Sequence, residues 1–386
     1  MKEFEMADPA CITEELRLLR EQLRRFVAEE VMPHGDAWER EGRIPRSIYK
    51  LMGDMGLLGM RHPVAYGGTD MGPVASVLFA EELARSSYGG LPASVLVHTD
   101  MSSTHISRRG TDEQKRKYLP GIISGDTIVA IAVTEPGAGS DVAGMRTKAV
   151  REGGEYVING SKIYITNGVH GDLIIVAART DPTAKGSRGI SLFLVEKGTP
   201  GLIIAREMDK HGDLSSDTAE LFFDDMRIPA ANLLGDEHKG FYAIMDNFQN
   251  ERLVLAGSSI GASAKAIELT LDHVRNRQAF GATLWDLQAT RQRLGMLATK
   301  VSAARALTYS CAELETRGID CVREISMAKV LACEVHVEVV NACLQLHGGS
   351  GFIRGTPIER MTRDARIQTI GGGATEVMLE EVAKRM

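Results

Sequence analysis

Residues 155–168 read EYVINGSKIYITNG, and this stretch decides the fold class of the middle of the chain. Its apolar and polar side chains follow a period of two, which is typical of a β-strand with one buried face. Ile163 and Ile165 fall on one face of the predicted strand, and Tyr164 and Thr166 fall on the other. The stretch therefore predicts β-structure, and its neighbours decide how far that structure extends.

Six more segments with a period of two lie between residues 127 and 235. They read TIVAIAVTE, MRTKAVRE, DLIIVAART, GISLFLVEKG, GLIIAREM and TAELFFDDMRIP. Gly, Asp, Asn and Pro punctuate these segments, as in Glu152-Gly-Gly-Glu155 and Asn159-Gly160. Seven short strands in this part of the chain predict a β-sandwich or barrel.

Both flanks of this region have the helical period instead. Thr13 is an N-cap candidate for a first helix, and helical patterning continues to about residue 126 through runs at 47–57, 73–86, 91–107 and 111–123. Long amphipathic stretches cover 240–277, 284–317 and 322–347, which predicts a helix bundle. The predicted fold class is α+β and multidomain. The predicted domains are an N-terminal α-helical domain over 1–126, a middle β domain over 127–235 and a C-terminal four-helix-bundle domain over 236–386.

Composition narrows the range of functions. The chain has 386 residues and a net charge of −6 with a pI near 6.0, so it lacks the basic excess of nucleic-acid-binding proteins. No window approaches the apolar length of a membrane span. The N-terminus, MKEFEMADPACITEELR, is acidic and has no apolar core, so we expect no signal peptide. The expected location is the cytoplasm, or the mitochondrial matrix if a presequence has been removed.

The five cysteines predict neither disulfides nor a metal site. An odd count in a long chain is typical of a reducing compartment. Cys333 and His336, like Cys343 and His347, have helical spacing that could suit a metal ion. Small cysteines on buried helix faces explain the same spacing, and no acidic cluster accompanies them. The prediction is therefore that the protein binds no metal.

Glycine-rich segments are the first candidates for a functional site. Glu135–Asp141, EPGAGSD, lacks the G-x-G-x-x-G spacing of a dinucleotide-binding fold and fits either a strand-connecting turn or a ligand loop. Tyr164 and Thr166 could pack against a flat heterocycle or simply face solvent. Gln345–Gly351, QLHGGSG, contains more glycine than a helix C-cap needs. Arg277–Gly281, RQAFG, offers a cation and an aromatic ring beside a helix end.

Six motifs taken together resemble the acyl-CoA dehydrogenase family over essentially the whole chain. They read AVTEPGAGSD, GSKIYITNG, SSDTAELFFDDMRIP, NRQAFG, QLHGGSGF and RDARIQTIGGGATE. The resemblance implies bound FAD and α,β-dehydrogenation of an acyl-CoA thioester to a trans-2-enoyl-CoA. A glutamate would take the α proton, and flavin N5 would take a hydride from the β carbon. It also implies electron-transfer flavoprotein as the acceptor and a homo-oligomer, typically a tetramer.

The same resemblance assigns residues to the cofactor and the substrate. The residues expected to hold FAD, some of them from a neighbouring subunit, are Ile131, Val133, Thr134, Gly139, Ser140, Tyr164, Thr166, Arg277, Phe280, Gln288, Gln345, Gly348, Gly349, Thr375 and Glu376. The residues expected to contact acyl-CoA are Ser140, Ser187, Arg188, Tyr242, Arg252, Gly372 and Gly373. Ala93, Ser94 and Val97 would line the acyl pocket. Ala374 replaces the family's usual threonine, so one flavin contact is expected to be missing or moved to Thr375.

The catalytic base is the point at which this chain departs from many relatives. The position that often carries the glutamate is Gly372, which can offer only a backbone N–H to the thioester carbonyl. The long-chain and isovaleryl-CoA dehydrogenase branches place the base in a Glu-Arg-Leu sequence on a C-terminal-domain helix. This chain reads Asn247-Phe-Gln-Asn-Glu-Arg-Leu there, so the resemblance implies Glu251 as the base. A solvated helix glutamate is the competing interpretation.

Two other functions remain open on the sequence. A flavin acyl-CoA oxidase would share the fold, although oxidases of this type are usually longer. A catalytically inactive subunit that binds acyl-CoA and FAD would explain the missing glutamate at 372. Small side chains at Ala93 and Ser94 favour a long or branched acyl chain.

Overall fold

The computed structural model describes residues 4–386. Seven α-helices precede the first strand: α1 Glu14–Phe26, α2 Gly35–Glu41, α3 Arg46–Asp54, α4 Gly72–Ala84, α5 Gly90–Leu96, α6 Ser103–Arg109 and α7 Asp112–Ile123. Thr13 caps α1 as predicted, because its side chain accepts a hydrogen bond from Leu16 N at 3.3 Å. A buried apolar cluster joins α1, α3, α4 and α5.

The stretch 91–107, which the sequence presents as one helical run, is divided in three. A π-helical turn at Val97–Ser102 lies between α5 and α6. π-Turns widen the backbone ring and occur often at functional sites. This turn is buried and faces the C-terminal half of the chain, where the candidate site lies.

The middle of the chain forms the predicted β-structure. Its strands are β1 Val129–Ala132, β2 Lys148–Glu152, β3 Glu155–Thr166, β4 Leu173–Arg179, β5 Ile190–Glu196, β6 Leu202–Glu207, β7 Thr218–Pro229 and β8 Leu233–Leu234. One half contains β6, β7, β3 and β2 in that order, and the other contains β1, β4, β5 and β8. A single register pair, Lys148 with Arg179, joins β2 to β4. One apolar core lies between the halves, so they pack as a sandwich.

The strand quoted first, β3, is continuous across Asn159-Gly160. The pairing with β7 shifts register between Ile158 and Gly160 and again between Lys162 and Ile165. The Asn-Gly pair is therefore accommodated within one strand and does not separate two. Such irregularities re-aim individual side chains. The second one coincides with Tyr164, which has a φ of +62°.

The C-terminal third is helical, with α8 Gly240–Asn276, α9 Gln288–Thr316, α10 Val322–His347, α11 Gly349–Phe352, α12 Pro357–Gln368 and α13 Thr375–Ala383. A short hairpin of β9 Gln278–Ala279 and β10 Ala282–Thr283 connects α8 to α9. Helices α8, α9, α10 and α12 share one apolar core, which confirms the predicted four-helix bundle.

Helix α8 also packs directly on α4 of the N-terminal helical region. A side chain at Gly257 or Gly261 would collide with the α4 backbone at Val77 or Glu81. These two glycines therefore permit a close helix–helix approach, which fixes α8 against the N-terminal helices. Within residues 4–386, no helix combines the length and apolar character needed to cross a bilayer.

Candidate active site

Glu251 lies in the first half of α8, with only 7% of its surface exposed. Its Oε1 accepts a hydrogen bond from Asn247 Nδ2 at 3.3 Å, one helical turn away. Burial raises the pKa of Glu251 to about 8, although the Asn247 hydrogen bond and the Arg252 charge both favour the carboxylate. The side chain is thus a buried acid that ionises near neutral pH, and it is not the solvated glutamate of the competing interpretation.

Asn247 is itself held by the N-terminal helices. Its Nδ2 donates to Asp100 O at 3.0 Å in the π-turn, and its Oδ1 accepts from Thr104 Oγ1 at 2.8 Å. Asn250 Nδ2 also donates to Asp100 O, at 2.9 Å. The π-turn and α8 are therefore connected by side-chain amides, which fixes the helix face that carries Glu251.

The triple-glycine segment forms a turn between α12 and α13. Gly371 N donates to Ile367 O at 2.8 Å, and Gly372 and Gly373 then adopt φ values of +63° and +105°. Within residues 4–386, the N–H groups of Gly372 and Gly373 have no protein acceptor. Left-handed backbone and free N–H groups together make the turn suited to binding an oxygen atom.

Lys329 anchors this turn from α10. The lysine is fully buried, and its Nζ donates to Gly373 O at 2.7 Å. Burial lowers the pKa of Lys329, partly opposed by nearby Cys333. A charge-assisted hydrogen bond to a backbone carbonyl is a strong restraint on a turn of three glycines, since glycine has the widest range of allowed backbone conformations.

Leu255 joins the turn to the helix face of Glu251. It lies one helical turn beyond Glu251 on α8, and a Cβ added to Gly372 would collide with its Cδ1. The helix face that carries Glu251 therefore packs against the Gly372 turn through Leu255. A side chain at residue 372 would need the Leu255 methyl group to move, and the φ of +63° would strain it in any case.

Arg252, the neighbour of Glu251, is also buried. Its guanidinium lies 5.5 Å from the centre of the Phe248 ring, and its Nε has no partner within residues 4–386. Burial lowers its pKa, opposed by the Glu251 and Glu381 charges. Arg252 is thus buried, in contrast to Arg188 and Tyr242, which are exposed.

The motif around Glu135 forms a loop with a buried ion pair at its base. Lys162 Nζ donates to Glu135 Oε1 and to Val133 O, both at 2.9 Å, and the lysine is fully buried. Glu135 Oε1 also accepts from Thr147 N at 2.9 Å. Gly139 and Ser140 are exposed at the tip of the loop. The loop is thus rigidly held at its base and open at its tip.

Tyr164 and Thr166 lie on β3 close to the start of the next loop. Tyr164 is 63% exposed and combines a positive φ with an aromatic side chain, an unfavourable conformation for a non-glycine residue. Thr166 is half-buried, as are Ile131, Val133 and Thr134 on and after β1. These residues together offer a partly apolar surface with hydroxyl groups.

The hairpin between α8 and α9 exposes a second aromatic residue. Phe280 is 98% exposed and has a φ of +55°. Arg277 and Gln288 are exposed on either side of it, and so are Gln345, Gly348 and Gly349 at the end of α10. His273 and His347 stack with ring centres 4.2 Å apart and bring the ends of α8 and α10 together. The β9–β10 hairpin and the C-terminal end of α10 thus form one exposed region.

The remaining predicted residues are in varied surroundings. Ser187 and Arg188 lie in the β4–β5 loop, and Tyr242 is 49% exposed in the first turn of α8. Thr375 donates its hydroxyl to Glu334 Oε1 at 2.6 Å, while Glu376 is exposed. Ser94 is buried and hydrogen-bonded to Tyr49 and Asn167, so its hydroxyl is already used.

Ala93 and Val97 are half-buried on the same helical run as Ser94. Within residues 4–386, no group of three or more His, Cys, Asp or Glu side chains could hold a metal ion, and the five cysteines are free.

Comparison with known proteins gives the family. Residues 13–126, 130–226 and 238–386 match the N-terminal, middle and C-terminal domains of acyl-CoA dehydrogenase. The chain belongs to the acyl-CoA dehydrogenase family. It is therefore an enzyme of an oxidoreductase family whose members are flavoproteins.

Particular relatives cover nearly the whole chain. It is 42% identical to the long-chain specific acyl-CoA dehydrogenase of Mus musculus mitochondria over 371 residues, which is 96% of this chain and 86% of that protein. The crystal structure of acyl-CoA dehydrogenase from Geobacillus kaustophilus matches with a TM-score of 0.94 and 41% identity, over 98% of this chain and 99% of that one.

A third relative was solved with a reduced flavin. The glutaryl-CoA dehydrogenase of Mycobacterium smegmatis, in complex with FADH2, matches with a TM-score of 0.91 and 29% identity, over 97% of this chain and 94% of that one. The same fold thus holds a flavin in that protein.

Three residues of the site were missed by sequence reasoning. Asn247 stands four residues before Glu251, a spacing that places both on one helix face and could have drawn attention to it. Lys329 is a single lysine in the apolar run Met327–Cys333, which is an unusual position for a charge. Leu255 looks like any core leucine, and only the folded chain reveals its contact with Gly372.

Proposed function

We propose that this enzyme is an FAD-dependent acyl-CoA dehydrogenase that converts a long or branched acyl-CoA to the trans-2-enoyl-CoA, with Glu251 as the catalytic base. The main support is that Glu251 is a buried acid whose pKa is raised to about 8, on the helix face that contacts the Gly372 turn. A general base works best when its pKa is near the working pH.

Two groups of this chain would share the work of removing the α proton: the Glu251 carboxylate and the Gly372 N–H. Glu251, as the carboxylate, removes the α proton and holds it on a side-chain oxygen. The N–H of Gly372 donates to the thioester carbonyl oxygen, where negative charge develops as the proton leaves. Lys329 holds Gly373, and with it the direction of the Gly372 N–H. Burial excludes water, which strengthens both interactions.

FAD would supply the second half of the reaction by accepting the β hydride at N5. The residues present fit this cofactor. Tyr164 and Phe280 expose aromatic rings from strained backbone positions. An added Cβ at Gly139 or Gly349 would meet nothing within 4 Å, so packing inside this chain does not require glycine there, whereas the φ of +59° at Gly348 does. Close approach by a bound group would favour glycine at the two open positions.

The full set proposed to hold FAD is Ile131, Val133, Thr134, Gly139, Ser140, Tyr164, Thr166, Arg277, Phe280, Gln288, Gln345, Gly348, Gly349, Thr375 and Glu376. Thr375 is the least supported of these, because its hydroxyl already bonds Glu334. Phe280 is almost fully exposed, which supports the proposal that the hairpin completes the cofactor site of a neighbouring copy in a homotetramer.

For the substrate, we propose that Ser140, Ser187, Arg188, Tyr242, Gly372 and Gly373 contact acyl-CoA directly. Arg252 is buried, which supports a role near the thioester end and not at the exposed nucleotide end. The small side chains of Ala93 and Ser94 favour a long or branched acyl group, and the Ser94 hydroxyl is already bonded to Tyr49 and Asn167. Electron-transfer flavoprotein as the acceptor and the cytoplasmic location remain predictions.

Anaerobic mixing with a panel of acyl-CoAs tests this proposal. Flavin absorbance in the visible band is followed for wild type and for Glu251→Gln, which keeps the shape of the side chain but cannot take a proton. We expect wild type to bleach with one class of chain, and the variant to bind that acyl-CoA yet stay yellow. The panel then identifies the substrate.

Each other outcome has a definite meaning. Wild type that binds acyl-CoA without bleaching would make the chain an inactive acyl-CoA- and FAD-binding subunit, the function that the missing side chain at Gly372 would favour. A variant that bleaches normally would place the base elsewhere. Oxygen consumption without an added acceptor would identify an oxidase.

A further inference from the structure

Arg179 is the last residue of β4. Its pairing with Lys148 of β2 is the register pair that joins the two halves of the sandwich. Two loops leave the sandwich beside it. The serine loop, 139–145, begins at the tip that carries Ser140, and the β4–β5 loop, 180–189, carries Ser187 and Arg188. Both loops contain residues that the proposed function assigns to the substrate.

The guanidinium of Arg179 holds the end of the serine loop. Its Nη2 donates to Ala143 O at 2.7 Å, and its Nε donates to Met145 O at 3.4 Å. Ala143 lies in a short 3₁₀ turn at Val142–Gly144, and Met145 follows that turn directly. The arginine therefore fixes the chain three to five residues after Ser140.

The other edge of the guanidinium holds the β4–β5 loop. Its Nη1 donates to Arg188 O at 3.0 Å and to Ala184 O at 3.4 Å, and its Nη2 donates to Gly186 O at 3.3 Å. All of these acceptors are backbone carbonyls. Arg179 makes no ion pair with any residue in the range 4–386. A planar fork of five donors suits this arrangement, which lysine could not reproduce.

The tip of the β4–β5 loop has little other support. Its base is closed by Thr180 N donating to Gly189 O at 2.8 Å, and Asp181 Oδ1 accepts from Thr183 N at 2.8 Å. Within residues 4–386, Arg179 makes every hydrogen bond that connects the tip, 184–188, to the serine loop. The positions of the two loops relative to each other therefore depend on this side chain.

The tip also carries positive charge. Lys185 and Arg188 are exposed, and within residues 4–386 neither forms an ion pair. Their side chains are therefore available to phosphate groups, which bind guanidinium and ammonium groups through charge-assisted hydrogen bonds. Lys239 lies 5.5 Å from the ring centre of exposed Tyr242 and adds a further cation at the start of α8.

We infer that Arg179 is a positioning residue for the phosphate-bearing nucleotide half of acyl-CoA, because it joins the serine loop to the β4–β5 loop and so sets Ser187 and Arg188 against the substrate. The inference rests on the proposed function for its ligand. It concerns binding of the nucleotide half and not the proton or hydride transfer.

The test compares two thioesters of the same acyl group in the holoenzyme. Acyl-CoA carries the nucleotide and its phosphates, whereas acyl-pantetheine lacks both. For Arg179→Lys, we expect KM for acyl-CoA to rise about tenfold, since several carbonyl hydrogen bonds are lost. Both proteins are kept saturated with FAD, because Gly139 and Ser140 of the serine loop are also in the set proposed for FAD. The kcat for acyl-CoA should then stay close to wild type, and kcat/KM for acyl-pantetheine should be unchanged.

Arg227→Lys is the matched control. Arg227 is an arginine of the same sandwich, on β7, and its partners are the carboxylates of Glu152 and Glu155 at the surface. It should leave both thioesters unaffected. Equal changes for the two thioesters in Arg179→Lys, or no change in either, would overturn the inference.

Calorimetric titration with free coenzyme A separates this inference from the proposed function, because binding needs no turnover. We expect Kd to rise about tenfold in Arg179→Lys and to stay at the wild-type value in Arg227→Lys. An unchanged Kd in Arg179→Lys overturns the inference, and so does a wild-type protein that does not bind coenzyme A. If wild type binds coenzyme A but never bleaches, the proposed function fails while the role of Arg179 is still decided by Kd.

Discussion

The two halves of the candidate site differ in how complete they are. In the acid half, the side chains of Glu251, Asn247 and Lys329 are buried and the Gly372 turn is half-buried. Hydrogen bonds join α8 to the π-turn and α10 to the Gly372 turn. The flavin half instead exposes its aromatic side chains, Tyr164 by 63% and Phe280 by 98%. Under the proposed function, this difference predicts that one chain positions the groups for proton transfer by itself, whereas groups from outside the chain complete the flavin half.

This comparison predicts that a glutamate at residue 372, the position of the base in many relatives, cannot replace Glu251. Adding Gly372→Glu to Glu251→Gln should leave flavin reduction about 10²–10⁴-fold below wild type, the usual contribution of a general base. Leu255 occupies the space that the new side chain needs, and the φ of +63° at residue 372 disfavours any side chain. Rapid mixing under anaerobic conditions measures the rate.

Removing the obstacle should partly rescue that variant. Leu255→Ala, added to the Glu251→Gln/Gly372→Glu pair, should raise the rate at least about tenfold, because a second carboxylate can then reach the substrate. Leu255→Ala with Glu251→Gln alone is the control and should give no rescue. Full activity in the double variant without the leucine change would mean that Leu255 does not block the position.

The next largest effect should come from the anchor of the glycine turn. Lys329→Met leaves Gly373 O without its donor, so the Gly372 N–H loses its fixed direction. We expect flavin reduction to slow by about tenfold, less than the 10²–10³-fold of a deleted oxyanion donor. Lys300→Met is the control, since Lys300 is an exposed lysine paired with Glu338. A lower Tm with an unchanged rate would show that Lys329 is only structural.

The pH dependence of reduction sharpens the assignment of the acid. Only the carboxylate can accept a proton, so the rate should rise with pH through an inflection near 8 and level off at higher pH. Asn247→Leu removes a hydrogen bond that favours the carboxylate, so the pKa of Glu251 should rise and the inflection should move to higher pH. Rates measured from pH 6 to 10 for both proteins check this. An inflection that moves to lower pH would contradict the role of Asn247.

The smallest effect on stability should come from a substitution in the flavin half. Phe280→Ala should leave the Tm of the flavin-free protein within error, because an almost fully exposed ring contributes little to folding. It should weaken FAD binding about tenfold, a typical loss for an aromatic–base stack. Leu18→Ala, at an exposed leucine of α1, should change neither. Unchanged FAD binding would exclude Phe280 from the cofactor site.

The sequence predicted the long elements well and their irregularities poorly. The stretch 322–347 is a helix with those bounds, and 240–277 is one from 240 to 276, because many amphipathic turns give the same period. The π-turn at Val97–Ser102 was not predicted, since its hydrogen bonds to Asn247 and Asn250 cross between distant parts of the chain. The register shift that re-aims Tyr164 depends in the same way on pairing with β7.

The candidate site shows the same division. Glu251 could be proposed from the motif, but its burial and its hydrogen bond from Asn247 exist only in the folded chain. Lys329 and Leu255 act through contacts across long sequence separations, to Gly373 and Gly372. The local sequence predicts which residues share a helix face and which form a turn. It does not predict which of these faces and turns pack against each other in the folded chain.

Exchange of the substrate's α proton tests most directly whether Glu251 is the base. In a 3-thia-acyl-CoA, sulfur replaces the β carbon, so no hydride can leave and the proton step is isolated from the flavin half. The holoenzyme is incubated with this compound in D2O, and deuterium at the α carbon is followed by mass spectrometry. We predict that wild type exchanges the proton and that Glu251→Gln binds the compound without exchange. Exchange by Glu251→Gln at the wild-type rate would contradict the assignment of Glu251.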